Sequence, residues 1–185
     1  MPIVLASASP RRQELLKNAG IEFVVHPANI EEVRRAEETP QEFAERMARE
    51  KASAVQRLRA DGFVLAADTV VVVAGHVLGK PSDRKDAVRM LRLLSGRKHY
   101  VITAVCLRGE NFEDIRSETT VVDFSPMTEA EIRDYVASGE PMDKAGAYGI
   151  QGIAARWIVG IEGDYSNVVG LPVDLVKQML RERGL

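Results

Sequence analysis

Between Val64 and Ala74 the chain reads VLAADTVVVVA, apolar throughout except for Asp68 and Thr69. The β-branched run predicts a strand, paired with HVLG across a turn at Ala74 and Gly75. A carboxylate inside such a strand is costly unless it is paired, protonated or bound to a metal. Asp68 is therefore read as a metal ligand or general base, against the plainer alternative of a strand-end carboxylate hydrogen-bonded in a turn.

The remaining elements follow from periodicity and punctuation. IVLAS predicts a buried first strand, after which Ser9 caps a helix with Pro10 at its first position, Leu15, Leu16 and Ala19 on its inner face and Gly20 as its stop. IEFVVH is a second strand candidate. The polar stretch from Pro27 to Thr39, with glutamates at 31, 32, 37 and 38, reads as a mobile connection. Pro40 opens the longest helix, running to about Arg59, with a buried stripe of Phe43, Met47, Ala54 and Leu58. A helix from Asp83 to Leu94 leads into YVITAVCL and an antiparallel partner, TTVVDF. TEAE at 128–131 has the form of a capping box and starts a helix to Ala137. The glycine-rich SGEPMDKAGAYGIQG is irregular, WIVGIEG follows, and a last helix begins near Pro172. Strands and helices mix without strict alternation, which predicts an α/β fold with a mixed sheet.

Two lysines add to the oddity of Asp68. Lys51 falls on the apolar stripe of the long helix, four residues after Met47, and an ammonium on a core face calls for an anion unless it snorkels to solvent. Lys80 leaves a rigid Gly-Lys-Pro turn close in sequence to the Asp68 strand pair. In SASPRR, the hydroxyls of Ser7 and Ser9 and the free amides of the helix start can bond phosphate oxygens, with Arg11 and Arg12 supplying charge and forked donors. The helix dipole is already positive there, so paired arginines point to a bound anion.

Composition closes several other routes. At 185 residues, with 45% hydrophobic and 28% charged, the chain has the make-up of a single globular domain or a compact two-lobed one. It carries no apolar run long enough for a membrane span and no signal-peptide pattern at its start, so a cytoplasmic protein is expected. Cys106 is the only cysteine and lies in an apolar run, which predicts a buried inert thiol. A net charge of −2 lacks the field of a general nucleic-acid binder, which weakens a reading of SPRR as a DNA-backbone clamp. His26, His76 and His99 are scattered without zinc-ligand spacing. Neither a P-loop, a GxGxxG nor a GxSxG elbow is present. Glu31 and Glu32 read as solvated loop charges, although an acidic loop facing a cationic pocket can contribute to a Mg²⁺ site.

Taken in order, LASASPRRQELL, AREKA, AADTVV, GKP, LSGRKHYVITAV, YVASGEPMDKAGAYGIQG and GDYSNVVGLP resemble the Maf family of nucleoside triphosphate pyrophosphatases, from about residue 3 to Leu180. The resemblance implies one Maf-like domain over 1–185 with an inosine-triphosphatase-like α/β fold, an elongated mixed sheet flanked by helices and a cleft between two lobes. It further implies hydrolysis of a triphosphate to monophosphate and pyrophosphate with a divalent cation (Mg, Mn or Co), frequent homodimers, no nucleic-acid or membrane partner, and a link to inhibition of septum formation.

Arg11 in SPRR, Thr69 after the aspartate and Gln151 in YGIQG follow the branch acting on dTTP and UTP. The branch preferring 7-methyl-GTP carries different residues at all three positions. A glutamine amide both donates and accepts, which suits the imide edge of uracil or thymine. Pseudo-UTP and 5-methyl-UTP would be accepted if position 5 of the ring is loosely enclosed. In the implied mechanism Asp68, with Glu31, holds the metal and orients or deprotonates the attacking water. Ser7, Arg11, Arg12, Lys51 and Lys80 bind the phosphates. The neighbouring cations are expected to lower the pKa of Asp68. A nucleotide sensor without turnover is the alternative from another class.

Overall fold

The structure is a computed structural model and describes residues 3–58 and 62–185. In chain order its elements are β1 (Ile3–Leu5), α1 (Pro10–Asn18), β2 (Phe23–Val25), α2 (Pro40–Leu58), β3 (Val64–Val73), β4 (His76–Leu78) and α3 (Arg84–Leu94), followed by β5 (Lys98–Gly109), β6 (Phe112–Phe124) and α4 (Glu129–Ala137). Three short 3-10 turns between Glu140 and Trp157 then precede β7 (Ile158–Glu162), α5 (Tyr165–Val169) and α6 (Val173–Glu182). Among the described residues one seven-stranded sheet has the order β2-β1-β3-β5-β6-β7, with β4 paired to β3. β1 is parallel to both β2 and β3, whereas β4 and β7 are antiparallel to β3 and β6. The sheet is thus mixed, as the sequence predicts.

The chain divides into two compact units, and β3, β5 and β6 contribute to both. The first unit comprises 1–68, 103–118 and 170–185. Its core joins Ile3 and Leu5 of β1, Leu16 of α1, Leu65 and Ala67 of β3, Val105 and Leu107 of β5, and Val176, Met179 and Leu180 of α6. The second unit comprises 69–102 and 119–169. It packs Val71 and Val73 against Met90, Leu91 and Leu94 of α3, Phe124 of β6, Tyr135 of α4 and Trp157. In both, a strand that reads as a continuous apolar run is one buried on two faces.

Local signals hold at the helix starts. Ser9 accepts from the Arg12 amide at 3.4 Å, Asp83 accepts from the Asp86 amide at 2.7 Å, and Thr128 and Glu131 exchange both bonds of the capping box. The stripe of α2 differs from expectation. Ala44, Met47, Ala48, Ala52 and Val55 are buried, while Leu58 is 72% exposed and Phe43 and Ala54 are half-buried. Small side chains allow close approach of the helix, so alanines rather than the larger Phe43 and Leu58 face the core. The expected helix end at Arg59 lies outside the described residues. Cys106 is buried, and burial pushes its thiol up to about 12, in line with an inert role. No helix among the described residues is long and apolar enough to cross a membrane.

His99 is fully buried in the second unit, where its Nε2 lies 2.7 Å from the Tyr148 hydroxyl and its ring meets Phe124 and Tyr148 edge-on. Burial lowers its pKa from 6.5 to about 4. The folded state therefore binds the proton less readily than the unfolded chain. The resulting stability is complete above about pH 6.5 and is lost as pH falls toward 4. The linked loss is on the order of 3 kcal/mol. His99→Gln keeps a partner for Tyr148 without titrating. Urea unfolding at pH 7 and pH 4.5 is expected to show a smaller acid-induced loss in that variant than in the wild-type chain; equal losses would remove His99 from the acid response.

Candidate active site

Asp68 ends the first unit on β3 and is 6% exposed. Lys51, from α2, donates to its Oδ1 at 2.7 Å, and the same ammonium lies 2.6 Å from Oε1 of Glu32. Only 12% of the Lys51 side chain is exposed, so the ammonium pairs with the core carboxylate and does not snorkel. Burial pushes the Asp68 carboxyl above its ordinary value, outweighing the downward pull of Lys51 and Arg12. This reverses the sign expected from the neighbouring cations. Desolvation of a group enclosed by strands and helix exceeds what those cations return.

The SPRR segment takes a more specific form than a simple phosphate cradle. Ser7, just after β1, is buried, accepts from the Ser9 amide at 3.2 Å and lies 3.4 Å from Arg12 Nη1. Arg12 also donates to two main-chain carbonyls, Nε to Gly170 at 2.7 Å and Nη1 to Ala67 at 3.1 Å. Ala67 precedes Asp68 in the middle of β3, so this guanidinium holds the strand next to the carboxylate, which is not at a strand end. Enclosure lowers the Arg12 pKa while the charge of Asp68 opposes the fall. Carbonyl acceptors and a nearby carboxylate thus offset the unfavourable dipole at the start of α1. Arg11, beside it, is half-buried in the first turn.

Glu31, the expected metal partner of Asp68, and Glu32 are both exposed, and it is the Glu32 carboxylate that meets Lys51. The sequence carries no signal that separates these adjacent glutamates, because both sit in an irregular connection without a period. Among the described residues no group of three or more His, Cys, Asp and Glu side chains converges as a metal cage. Two carboxylates sharing one cation are nevertheless hard oxygen donors. Such a pair fits an ion that takes one or two carboxylates and fills the rest of its shell with phosphate and water.

The other predicted residues belong to the second unit. Thr69 follows Asp68 on β3 and is half-buried, and Lys80 and Gln151 are exposed. The turn carrying Lys80 is held by Gly146, whose amide donates to the Gly79 carbonyl at 3.0 Å. Gly146 has φ +72°, and a Cβ there would lie 2.8 Å from Val71 Cγ2, so the position requires glycine. The segment carrying Gln151 is tied on both sides. The Gly149 amide donates to the Tyr135 hydroxyl at 3.2 Å, and the Ile153 amide donates to Glu140 Oε2 at 3.2 Å. Tyr135 in turn donates to Glu140 Oε1 at 3.1 Å. A Cβ at Gly152 would fall 1.9 Å from that oxygen, which explains the glycine after Gln151. Glu140 thus orders the glutamine segment, a role no spacing in the sequence announces.

A mixed α/β sheet carrying a buried carboxylate ringed by Lys51, Arg12 and Glu32 is the equipment of an enzyme for anionic substrates. The chain belongs to the Maf family, whose model, described as Maf-like protein, matches residues 2–183. Proteins named dTTP/UTP pyrophosphatase are close to it. That of Koribacter versatilis is 54% identical over 185 residues, covering 100% of this chain and 96% of its own length. That of Symbiobacterium thermophilum is 52% identical, covering 98% of this chain and 94% of its own. That of Thermococcus gammatolerans is 51% identical, covering 98% and 96%. Among solved structures, the Staphylococcus aureus Ham1 protein aligns with a TM-score of 0.57 at 13% identity over 99% of this chain and 100% of its own, which shows a shared fold.

Proposed function

We propose that this chain is a cytoplasmic nucleoside triphosphate pyrophosphatase that hydrolyses dTTP and UTP to the monophosphate and pyrophosphate, its whole length working as one catalytic domain. The observation that carries the reading is the buried Asp68 carboxylate held by Lys51 beside Glu32, in a chain about half identical over its full length to proteins named for that activity. The water oxygen bonds to the α-phosphorus, the bond to the α–β bridging oxygen breaks, and pyrophosphate leaves. Asp68 orients that water and takes its proton. Lys51, Arg11 and Lys80 neutralise phosphate oxygens, and Arg12, with the Ser7 hydroxyl beside it, holds the middle of β3 and adds positive charge at Asp68. Asp68 and Glu32, with Glu31 adjacent, are the residues to hold a divalent cation of the Mg, Mn or Co class. When bound, that ion supplies further charge stabilisation to the triphosphate.

Arg11, Thr69 and Gln151 select the pyrimidine, Gln151 through paired donor and acceptor contacts to the imide edge. The test is pyrophosphate release from dTTP, UTP, CTP, GTP, ITP and 7-methyl-GTP with Mg²⁺ or Mn²⁺, before and after chelation. Preferential turnover of dTTP and UTP that chelation abolishes is expected. A preference for 7-methyl-GTP would overturn the specificity assignment. Binding of triphosphates without turnover would make the chain a nucleotide sensor.

A further inference from the structure

The connection from Pro27 to Thr39 reads in sequence as mobile, yet one arginine of α2 ties it down. Arg46 Nη2 donates to the Val33 carbonyl at 2.7 Å and to Glu38 Oε2 at 2.8 Å, and its Nε grips Glu38 Oε1. Nη1 meets Glu50 Oε1 at 3.1 Å on the same helix. Glu38 also accepts the Arg35 amide at 2.9 Å through its carboxylate, and its carbonyl takes the Arg34 guanidinium at 2.6 Å. The Arg46 and Glu38 side chains are only 13% and 14% exposed, so this is an enclosed clasp rather than a loose surface pair. Val33 directly follows Glu32, and Lys51 extends from the same helix as Arg46.

We propose that Arg46 is a positioning residue: by clasping Glu38 and the Val33 carbonyl it holds the Glu32 carboxylate at Lys51, and so at Asp68. The inference rests on the active-site reading above. The forked guanidinium serves two acceptors at once, which a lysine cannot reproduce. The hydrogen bond from Arg46 holds the Glu38 carboxyl down at about 2, so the clasp persists across the working pH range.

The experiment compares the wild-type chain with Arg46→Gln, Arg46→Lys, Glu32→Gln, the Arg46→Gln/Glu32→Gln double variant and Glu38→Gln, which loosens the clasp from the loop side. Steady-state dTTP hydrolysis is measured together with tryptic cleavage after Arg34 and Arg35. Arg46→Gln is expected to lower kcat by about 10- to 100-fold, the usual cost of losing a group that orients a ligand-bearing one. Cleavage after Arg34 and Arg35 is expected to accelerate alongside, with Arg46→Lys failing to restore either and Glu38→Gln shifting both in the same direction. The double variant is expected to be no slower than Glu32→Gln alone. Multiplying losses would show that Arg46 acts independently of Glu32 and overturn the proposal, as would unchanged tryptic cleavage. Full activity in Glu32→Gln would also overturn it while leaving the Asp68 reading intact. Absence of pyrophosphate release from the wild-type chain would instead defeat the functional reading, and the proteolysis would still decide whether Arg46 holds the segment.

Discussion

Asp68→Asn is expected to cut dTTP turnover by about 10²- to 10⁴-fold, the range associated with a positioned general base, while the variant melts at or above the wild-type temperature. The two halves share one cause. Asp68 is buried, and burial raises its pKa above that of the unfolded chain, so holding it ionised in the folded state is a net cost. Its contribution to stability is complete below the ordinary carboxylate range and disappears as pH rises through the folded value. At pH 8 the amide removes that cost; at pH 4 the two proteins should converge. Pyrophosphate release and thermal melts at both pH values check the pair of outcomes. An active Asn variant would remove Asp68 from the chemistry, and a variant that simply unfolds at pH 8 would make the carboxylate structural.

Lys51→Ala has the second largest expected effect, and its signature is a displaced pH profile. Lys51 is the main cation drawing the Asp68 carboxyl down, through both charge and a 2.7 Å hydrogen bond. Without it the Asp68 pKa rises further, and the acid limb of kcat/KM moves to higher pH by about 1 to 3 pH units, the usual influence of an opposite charge at this range. Loss of the charge itself costs about 10²- to 10³-fold more, which alkaline pH does not restore. An ionised Asp68 left without its ammonium also costs stability, about 3 kcal/mol by analogy with broken buried pairs, and less at acid pH where the carboxyl is protonated. Rate profiles from pH 6 to 10 with urea midpoints at each end separate these contributions. A variant that loses stability but keeps its rate and its profile would reduce Lys51 to a structural counter-ion.

The Arg46 clasp bears on how such a site is kept in order. Arg12 locks the strand beneath Asp68 through the Ala67 and Gly170 carbonyls, Arg46 locks the segment carrying Glu32, and Glu140 locks the segment carrying Gln151. Each lock uses charge-assisted hydrogen bonds to main-chain atoms, which restrict a loop more than side-chain pairs do. Groups that meet substrate can then be few.

Features governed by a handful of adjacent residues were settled by the sequence alone. The caps at Ser9 and Thr128 and the costly placement of Asp68 and Lys51 depend on neighbours within a turn or a strand, where pattern and composition suffice, and the mixed α/β sheet and the family resemblance follow from the order of such segments along the chain. Tertiary structure decided who meets whom. It brought Glu32 to Lys51, turned Arg12 toward two carbonyls, put alanines on the buried face of α2, tied down a segment that reads as mobile and reversed the expected sign of the Asp68 pKa shift. The reason is physical: desolvation and long-range pairing depend on atoms tens of residues away along the chain, and no local pattern records their distance.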